Sequence, residues 1–233
     1  TAFANAGGDK GKAAAAAKPP PPGSAAAIAA TARPVPKLAS VGSGLGFATS
    51  LNLDTLTAAE GDTRLPSPDD ATVDKIHFLV NNLSQQNFQA KAAQLNTHLA
   101  QAHVGWFAQY MVVKRASIEP NFHALYLGLI TSVQQQGLVK EVVRATVRNV
   151  NVLLASEKIR TNSGERSLLK NLGSWLGQLT LSRNKPLLMR DLDPKTIVYD
   201  AYESGRMIAV IPFVAKLLES TKESIVFKAP NPW

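Results

Sequence analysis

Histidines and a close pair of aspartates are the side chains in this sequence that could bind a metal ion or transfer protons. None of the four histidines forms the His-Glu-x-x-His pattern that places two metal ligands and a base on one helical face; they are His77, His98, His103 and His123. Asp191 and Asp193 could form a carboxylate pair, but Pro194 directly after Asp193 is typical of a loop that leads into a helix cap. We therefore predict neither a metal site nor an acid–base pair.

Motifs for a catalytic nucleophile or a bound nucleotide are absent from the sequence. It contains no cysteine, no Gly-x-Ser-x-Gly elbow, no Walker-type phosphate loop and no dinucleotide fingerprint. The glycine-rich stretch Gly42–Gly46 is interpreted as a flexible linker because no strand precedes it. Without a nucleophile, base and orienting group, the sequence predicts a protein that is not an enzyme and has no cofactor.

Two polar segments remain that combine basic groups, amides and aromatic rings. They are Lys114–His123 and Arg166–Lys185. Phe122 and Trp175 fall on the apolar stripes of their predicted helices, so we expect both rings in the core. Their polar neighbours are the candidates for a functional surface.

Helices must position these segments, because apolar residues recur with helical spacing from about Asp69 onward and no run alternates like a strand. Asp69 and Asp70 supply N-cap chemistry for a first helix through about Leu83. We expect Ser84 to cap a second helix, with an apolar stripe of Phe88, Ala92, Leu95 and Leu99. A third helix begins near Gly105 and has a wide apolar face, so we expect it to be central.

The next predicted helix follows Ser117 as N-cap, has Pro120 in its first turn and is ended by Gly137. A fifth helix, through about residue 154, turns one stripe inward, formed by Val143, Val147, Val150 and Leu154. A separate face of that helix carries Lys140, Arg144 and Arg148.

A sixth helix follows Asn162, whose spacing to Glu165 is that of a capping box. It is expected to bury Leu168, Leu172, Trp175 and Leu179. Two more helices are expected near residues 196–203 and 208–220, before an extended Pro-rich tail. Short helices with wide apolar faces predict an all-α fold of antiparallel helical hairpins stacked as a HEAT-like solenoid, and a compact orthogonal bundle is the alternative.

Composition divides the chain into two parts. Residues 1–50 are dominated by Ala, Gly and Pro, and we predict a disordered low-complexity linker there, with a polyproline II docking ligand as the alternative. Residues 51–233 are predicted to be the folded domain. No apolar segment resembles a membrane span or a secretory signal, so we expect no membrane association.

The charge of the folded part is basic. Residues 75–233 contain nineteen Lys or Arg and ten Asp or Glu, a net of +9, within a chain of +8 overall. Such a balance favours an acidic partner, either a protein or a nucleic acid. A soluble helical surface without a charged partner would have the same composition. Weak direct binding of RNA by Lys140, Arg144 and Arg148 is the alternative function.

Long polar motifs in this sequence resemble a known family. The pattern Lys-Arg-x-Ser-Ile-Glu-Pro-Asn-Phe-His-x-Leu-Tyr at 114–126, the run 166–177 and Asn-Lys-Pro at 184–186 are similar to the middle domain of the Not-type large scaffold subunit of the CCR-NOT mRNA deadenylase complex. Further similarity lies at 74–76, 81–84, 210–220 and 230–233. The resemblance covers residues 51–233 and not residues 1–50. Because the family pattern continues beyond Trp233, we expect a fragment of a larger subunit.

The resemblance implies a HEAT-like domain similar to the middle domain of translation initiation factor 4G. Such a domain would be a non-catalytic scaffold with one surface for a DEDD-type poly(A) nuclease subunit and another for a DEAD-box RNA helicase, besides other subunits of the complex. It would couple deadenylation to translational repression and mRNA decay. The implied location is the cytoplasm, including mRNA processing bodies, and also the nucleus.

The same resemblance implies a partner-binding surface at the helix ends of the two polar segments. We expect its side chains to flank the apolar stripes rather than occupy them, so that they can be changed without opening a cavity. The predicted partner-binding residues are Arg115, Glu119, Asn121, His123, Arg166, Lys170, Asn171, Arg183 and Lys185.

Overall fold

The computed structural model of this chain describes residues 53–61, 65–228 and 230–231. The predicted linker 1–50 and part of the predicted tail lie outside the described residues. Within them, every regular element is helical. The α-helices are α1 (Asp54–Gly61), α2 (Asp70–Asn81), α3 (Phe88–His98), α4 (Val104–Met111), α5 (His123–Ser132), α6 (Leu138–Ala155), α7 (Ser163–Leu179), α8 (Pro194–Glu203) and α9 (Met207–Glu219).

The helices pack in succession along the chain. Helix α2 packs on α3, α3 on α5, α4 on α6, α6 on α7, α7 on α9 and α8 on α9, while α1 packs on α6. Helices α3, α6, α7 and α9 therefore have helical neighbours on two sides, as helices do in a stack. The predicted all-α, solenoid-like architecture is confirmed.

The core runs through α4, α6, α7 and α9. The predicted inner stripe of α7, Leu168, Leu172, Trp175 and Leu179, is fully buried. Helix α4 is central, as its wide apolar face predicts, because Phe107 and Met111 are also fully buried. Burial of apolar area of this kind contributes about 25 cal/mol per Å², so these stripes dominate the stability of the stack.

The ends of several helices follow local capping rules. The Asp69 side chain accepts a hydrogen bond from the Thr72 backbone amide at 3.0 Å, and Asn162 accepts from those of Gly164 and Glu165 at 2.8 and 3.2 Å. The reciprocal half of the capping box does not form at Asn162. Glu165 is buried and instead accepts from the hydroxyls of Thr55 and Ser156.

Two predicted N-caps are wrong. Helix α3 begins after Asn87, whose side chain accepts from the Ser84 amide at 2.8 Å and closes a turn before the helix starts. Ser117 does not begin a helix, because α4 continues into a π-helical turn, Val112–Ala116, and the Ser117 hydroxyl donates to the Val113 carbonyl at 2.7 Å. The next helical turn, Pro120–Phe122, leads directly into α5.

Predictions about the helix after Ser117 and about the predicted fifth helix also need correction. Gly137 does not end α5, which stops at Ser132; with φ of +78° it precedes α6 as its N-cap. Phe122 is 44% exposed rather than in the core. The predicted inward stripe of α6 is displaced by about one residue, because its most buried apolar residues are Leu138, Val142, Val150 and Leu153, whereas Val143, Val147 and Leu154 are half-buried.

Candidate protein-binding surface

Arg115 is at the centre of a polar cluster that joins three helical segments. It lies in the π-helical turn after α4, and its guanidinium donates to the Tyr110 hydroxyl from Nε at 3.0 Å and from Nη2 at 2.9 Å. Nη2 also donates to the side-chain oxygen of Asn81, at the end of α2. Glu119 lies 3.7 Å away as an ion-pair partner and accepts a hydrogen bond from the Tyr126 hydroxyl on α5. We call Asn81, Tyr110, Arg115, Glu119 and Tyr126 the Arg115 cluster.

Burial makes the neutral form of both tyrosines of the cluster still more favourable than it is in water. It raises the pKa of Tyr110, and the neighbouring Arg115 only partly opposes this. Burial, with the hydrogen bond to Glu119, raises the pKa of Tyr126 far above its usual range. Both hydroxyls therefore remain donors at neutral pH, and the Arg115–Glu119 pair is held by neutral groups on either side.

Aromatic rings extend the cluster along the surface. The Arg115 guanidinium lies 5.6 Å from the centre of the Tyr110 ring, and the His77 ring stacks on that ring at 4.6 Å. Burial, and then the charge of Arg115, lower the pKa of His77. His77 is therefore neutral at physiological pH, which avoids a second positive charge beside Arg115.

Two of the nine predicted partner-binding residues are buried, which corrects the expectation that all nine flank the core. His123 is 1% exposed and its Nε2 donates to the Ala116 carbonyl at 2.7 Å. Asn171 is 8% exposed and donates to the Ser117 carbonyl at 2.8 Å. Both carbonyls belong to the residues directly after Arg115. His123 and Asn171 therefore hold the backbone that carries Arg115, and they do not present their side chains to a partner.

The other predicted residues are exposed or half-buried, and they lie in separate places. Arg166 is half-buried and donates to the Arg160 carbonyl at 3.0 Å, at the end of the short helix Glu157–Arg160. Lys170, one turn further along α7, is exposed, as is Asn121 before α5. The structure brings Arg115 and Glu119 into contact, and it gives no contact between them and Arg166 or Lys170.

Arg183 and Lys185 flank a sharp turn after α7. Asn184 between them has φ of +58°, and its side-chain oxygen accepts from the Ser224 hydroxyl at 2.8 Å and the Ile225 amide at 3.0 Å. The turn is thereby tied to the segment after α9. Arg183 also lines a groove of about 540 Å³ against the outer face of α5, so it shares a surface with the helix that follows Phe122.

Three members of the cluster were not predicted from the sequence: Asn81, Tyr110 and Tyr126. Tyr110 precedes Arg115 by five residues, a spacing that an α-helix does not bring together but a π-helical turn does. Tyr126 follows Glu119 by seven residues, across the turn Pro120–Phe122 and the start of α5, so no regular helical spacing reveals this pair. Asn81 is 34 positions from Arg115, so no local pattern reveals it.

The described part of the chain offers a binding surface on stacked helices. It contains no group of three His, Asp or Glu side chains that could hold a metal ion. None of its helices has the length and apolar character needed to cross a bilayer. What it does present is a charged and hydrogen-bonding cluster fixed on stacked helices, and these features define an all-helical scaffold domain of the protein-binding class.

Comparison with known proteins identifies the family. Residues 64–233 match the CCR4-NOT transcription complex subunit 1 CAF1-binding domain, and the chain belongs to this family. It is 39% identical over 192 residues, 78% of the chain, to the CCR4-NOT transcription complex subunit let-711 of Caenorhabditis elegans. It is 38% and 37% identical, over 71% and 69% of the chain, to general negative regulator of transcription subunit 1 of Schizosaccharomyces pombe and of Saccharomyces cerevisiae. The chain spans only 7–8% of the length of these relatives.

Proposed function

We propose that this chain is a non-catalytic scaffold domain that binds the DEDD-type poly(A) nuclease subunit of a deadenylase complex and, on a second surface, a DEAD-box RNA helicase. The observation that carries the proposal is the match of residues 64–233 to a family whose description names CAF1 binding. Binding both proteins would couple deadenylation to translational repression and decay. Contacts with other subunits of the complex belong to the same role.

The helicase surface is placed at the Arg115 cluster, with Asn121, Arg166, Lys170, Arg183 and Lys185 around it. The Arg115 side chain is already fixed by Tyr110 and Asn81 before any partner arrives. A group that is already ordered loses little conformational entropy on binding, so such a group contributes more to affinity than a mobile one. Charged and amide groups also give an interface its orientation and specificity.

The test is calorimetric titration of the chain with the purified nuclease and the purified helicase separately. Arg115→Glu is expected to weaken helicase binding at least tenfold, because disrupting a desolvated charge pair typically costs about 2–5 kcal/mol and about 1.4 kcal/mol corresponds to a factor of ten. Nuclease binding is expected to survive, because the two partners use different surfaces.

Lys75→Glu, at an exposed position on α2, is the matched control for charge reversal, and circular dichroism checks folding. Unchanged helicase affinity in Arg115, Asn121, Arg166 and Lys185 variants would rule out this placement. Equal loss of both partners would indicate damaged packing instead.

The non-catalytic part of the proposal has its own assay. We expect the purified chain neither to shorten poly(A) nor to hydrolyse ATP, since its sequence offers no nucleophile, base and orienting group in combination. Activity that persists after substitution of all four histidines together with Asp191 and Asp193 would reveal a catalytic site elsewhere. Activity that separates from the chain on further purification would belong to a contaminating partner.

The proposed partners act on mRNA, so we place the chain in the cytoplasm, including processing bodies, with a further pool in the nucleus. A fluorescent fusion should colocalise with a processing-body marker. A fusion that stays diffuse while it still binds the helicase in extracts would contradict this location.

A further inference from the structure

Helices α6 and α8 are separated by a cavity, whereas α7 and α9 pack closely. A β-carbon at Gly173 of α7 would lie 2.6 Å from the Phe213 carbonyl oxygen of α9, so these two helices approach almost backbone to backbone. A cavity of about 300 Å³ lies between the end of α6, one face of α8 and the start of α9. We call this cavity the α6–α8 wedge.

The wedge is lined by apolar residues together with Asn151, Asp200, Ser204 and one fixed cation. Leu154, Ala155, Ile197, Ala201 and Val210 supply most of the apolar lining. The cation is Arg206, which donates from Nη1 to the Leu154 carbonyl at 2.7 Å and is held at the end of α6. The cavity is large enough for one bulky apolar side chain of a partner.

The exposed face of α6 leads into the wedge and is basic. Lys140, Arg144 and Arg148 are followed at helical spacing by Asn151 and Ala155, and the last two line the wedge. Glu141 neutralises part of this charge through an ion pair with Arg144 at 2.7 Å. With Arg206 included, the side chains named along this surface are four basic ones and two acidic ones, Glu141 and Asp200.

From this geometry we propose that the α6–α8 wedge and the basic face of α6 bind a short acidic linear segment of a partner protein, with one apolar anchor residue in the wedge. Acidic side chains of the segment lie along Arg148, Arg144 and Lys140. The proposal does not rest on the helicase or nuclease assignments, because it concerns a different surface from the Arg115 cluster and is tested without either protein.

A protein segment fits this surface better than RNA does. Bases of single-stranded RNA bind to proteins largely by stacking on aromatic rings, and the residues that line the wedge include no aromatic side chain. Asp200, an exposed carboxylate in the wedge lining, would repel a phosphate and an acidic side chain alike, so the group that enters the wedge itself must be uncharged. An apolar side chain would bury its surface against the apolar residues of the wedge, whereas a phosphate or ribose in contact with them would lose hydrogen bonds to water.

The experiment is a selection of random peptides displayed on phage against the whole chain, followed by fluorescence polarisation with the selected peptides. We expect enriched peptides that contain an aliphatic or aromatic anchor flanked by Asp or Glu. Ala155→Phe, which fills the wedge from an exposed position, and Arg148→Glu should each weaken their binding at least tenfold. Amide exchange should show protection by the peptide at α6, α8 and the start of α9.

Matched controls are Ala93→Phe on α3 and Lys75→Glu on α2, both at exposed positions, and these should leave peptide affinity within about twofold. A thermal midpoint measured for every variant separates lost binding from lost folding. A fluorescein-labelled oligoadenylate is titrated in parallel. The proposal is overturned if no acidic–apolar peptide is enriched or if the wedge variants bind such peptides normally. It is equally overturned if oligoadenylate binds and depends on Arg148 while Ala155→Phe has no effect, since this surface would then be an RNA site.

Discussion

Gly173 on α7 lies directly against the Phe213 backbone on α9, with 2.6 Å between the position a β-carbon would take and the Phe213 carbonyl oxygen. Gly177, one turn later, is in the same situation, with 2.6 Å to the Leu217 carbonyl oxygen. Two glycines four residues apart therefore let the two helices approach at backbone distance. The Phe213 and Leu217 carbonyl oxygens are backbone atoms, so they cannot rotate away as a flexible side chain would.

Gly173→Ala is expected to destabilise the chain by about 1–3 kcal/mol, the usual cost of overpacking a filled core, although alanine alone favours a helix by up to about 1 kcal/mol. Urea unfolding followed by circular dichroism measures the change. The matched control is Gly105→Ala on α4, where the new β-carbon would lie 3.4 Å from the flexible Leu65 side chain. The control should be neutral or stabilising, and equal destabilisation by both changes would contradict the close crossing.

A buried amide pair joins α4 and α6. Asn149 donates to the Gln109 side-chain oxygen at 3.1 Å and to the Ala145 carbonyl at 2.8 Å, and both side chains are about fully buried. Gln109→Leu should cost about 1–3 kcal/mol, because it leaves one N–H of the buried Asn149 amide without an acceptor. The double change to leucine at both positions should cost less than the sum of the single changes. Additive costs in a double-mutant cycle, with exposed Gln85→Leu as reference, would show that the pair is not coupled.

The stability of the chain should fall in mild acid because of His123. Burial lowers the pKa of this imidazole, and its hydrogen bond to the Ala116 carbonyl opposes the effect only in part. In the unfolded chain its pKa returns to about 6.5, so the unfolded state binds the proton more tightly. The stability contribution of neutral His123 is therefore complete above about pH 6.5 and is lost progressively as the pH falls below that value towards the lower pKa of the folded state. Burial is also the main cause of the lowered pKa of His77, so His77 should contribute to the same loss of stability in mild acid.

Urea unfolding at a series of pH values tests this expectation. His123→Gln should flatten the loss of stability between about pH 7 and pH 5, and the same change at His98 is the control. A slope that is unchanged in the His123 variant would contradict the assignment.

Asn171 and Lys170 are neighbours in sequence with opposite roles in the structure. Asn171→Leu removes the hydrogen bond to the Ser117 carbonyl, so it should lower stability by about 1–3 kcal/mol and weaken helicase binding through the loosened Arg115 segment. Lys170→Glu, at an exposed position, should leave the free energy of unfolding within about 0.5 kcal/mol and weaken only helicase binding. Unfolding and titration of both variants distinguish positioning from contact, and destabilisation by Lys170→Glu would contradict this division.

Deletion of residues 1–50 should change the thermal midpoint by less than about 4 °C. Their Ala-, Gly- and Pro-rich composition provides few large apolar side chains to share with a core. The measurement is differential scanning calorimetry of the whole chain and of the chain from residue 51. A larger fall would mean that this segment packs on the helices.

Local patterns in the sequence determined the helices and most of their inner faces. The α7 stripe around Trp175 and the Asn162 cap follow from contacts within a few residues, and both were predictable for that reason. The cap at Ser117 was not predictable. Whether the chain starts a new helix there or continues through a π-helical turn depends on the packing of Val112, Val113 and Ala116 in the core, and all three are fully buried.

The sequence alone also determined the family and the region that contains the candidate surface. Only the tertiary structure decided which polar residues face solvent. His123 and Asn171 are buried because they bond to the backbone at Ala116 and Ser117, and the Asn171 contact joins positions 54 apart. Phe122 is exposed although it follows the apolar spacing. Contacts between distant segments set burial, and a pattern of neighbouring residues contains no information about them.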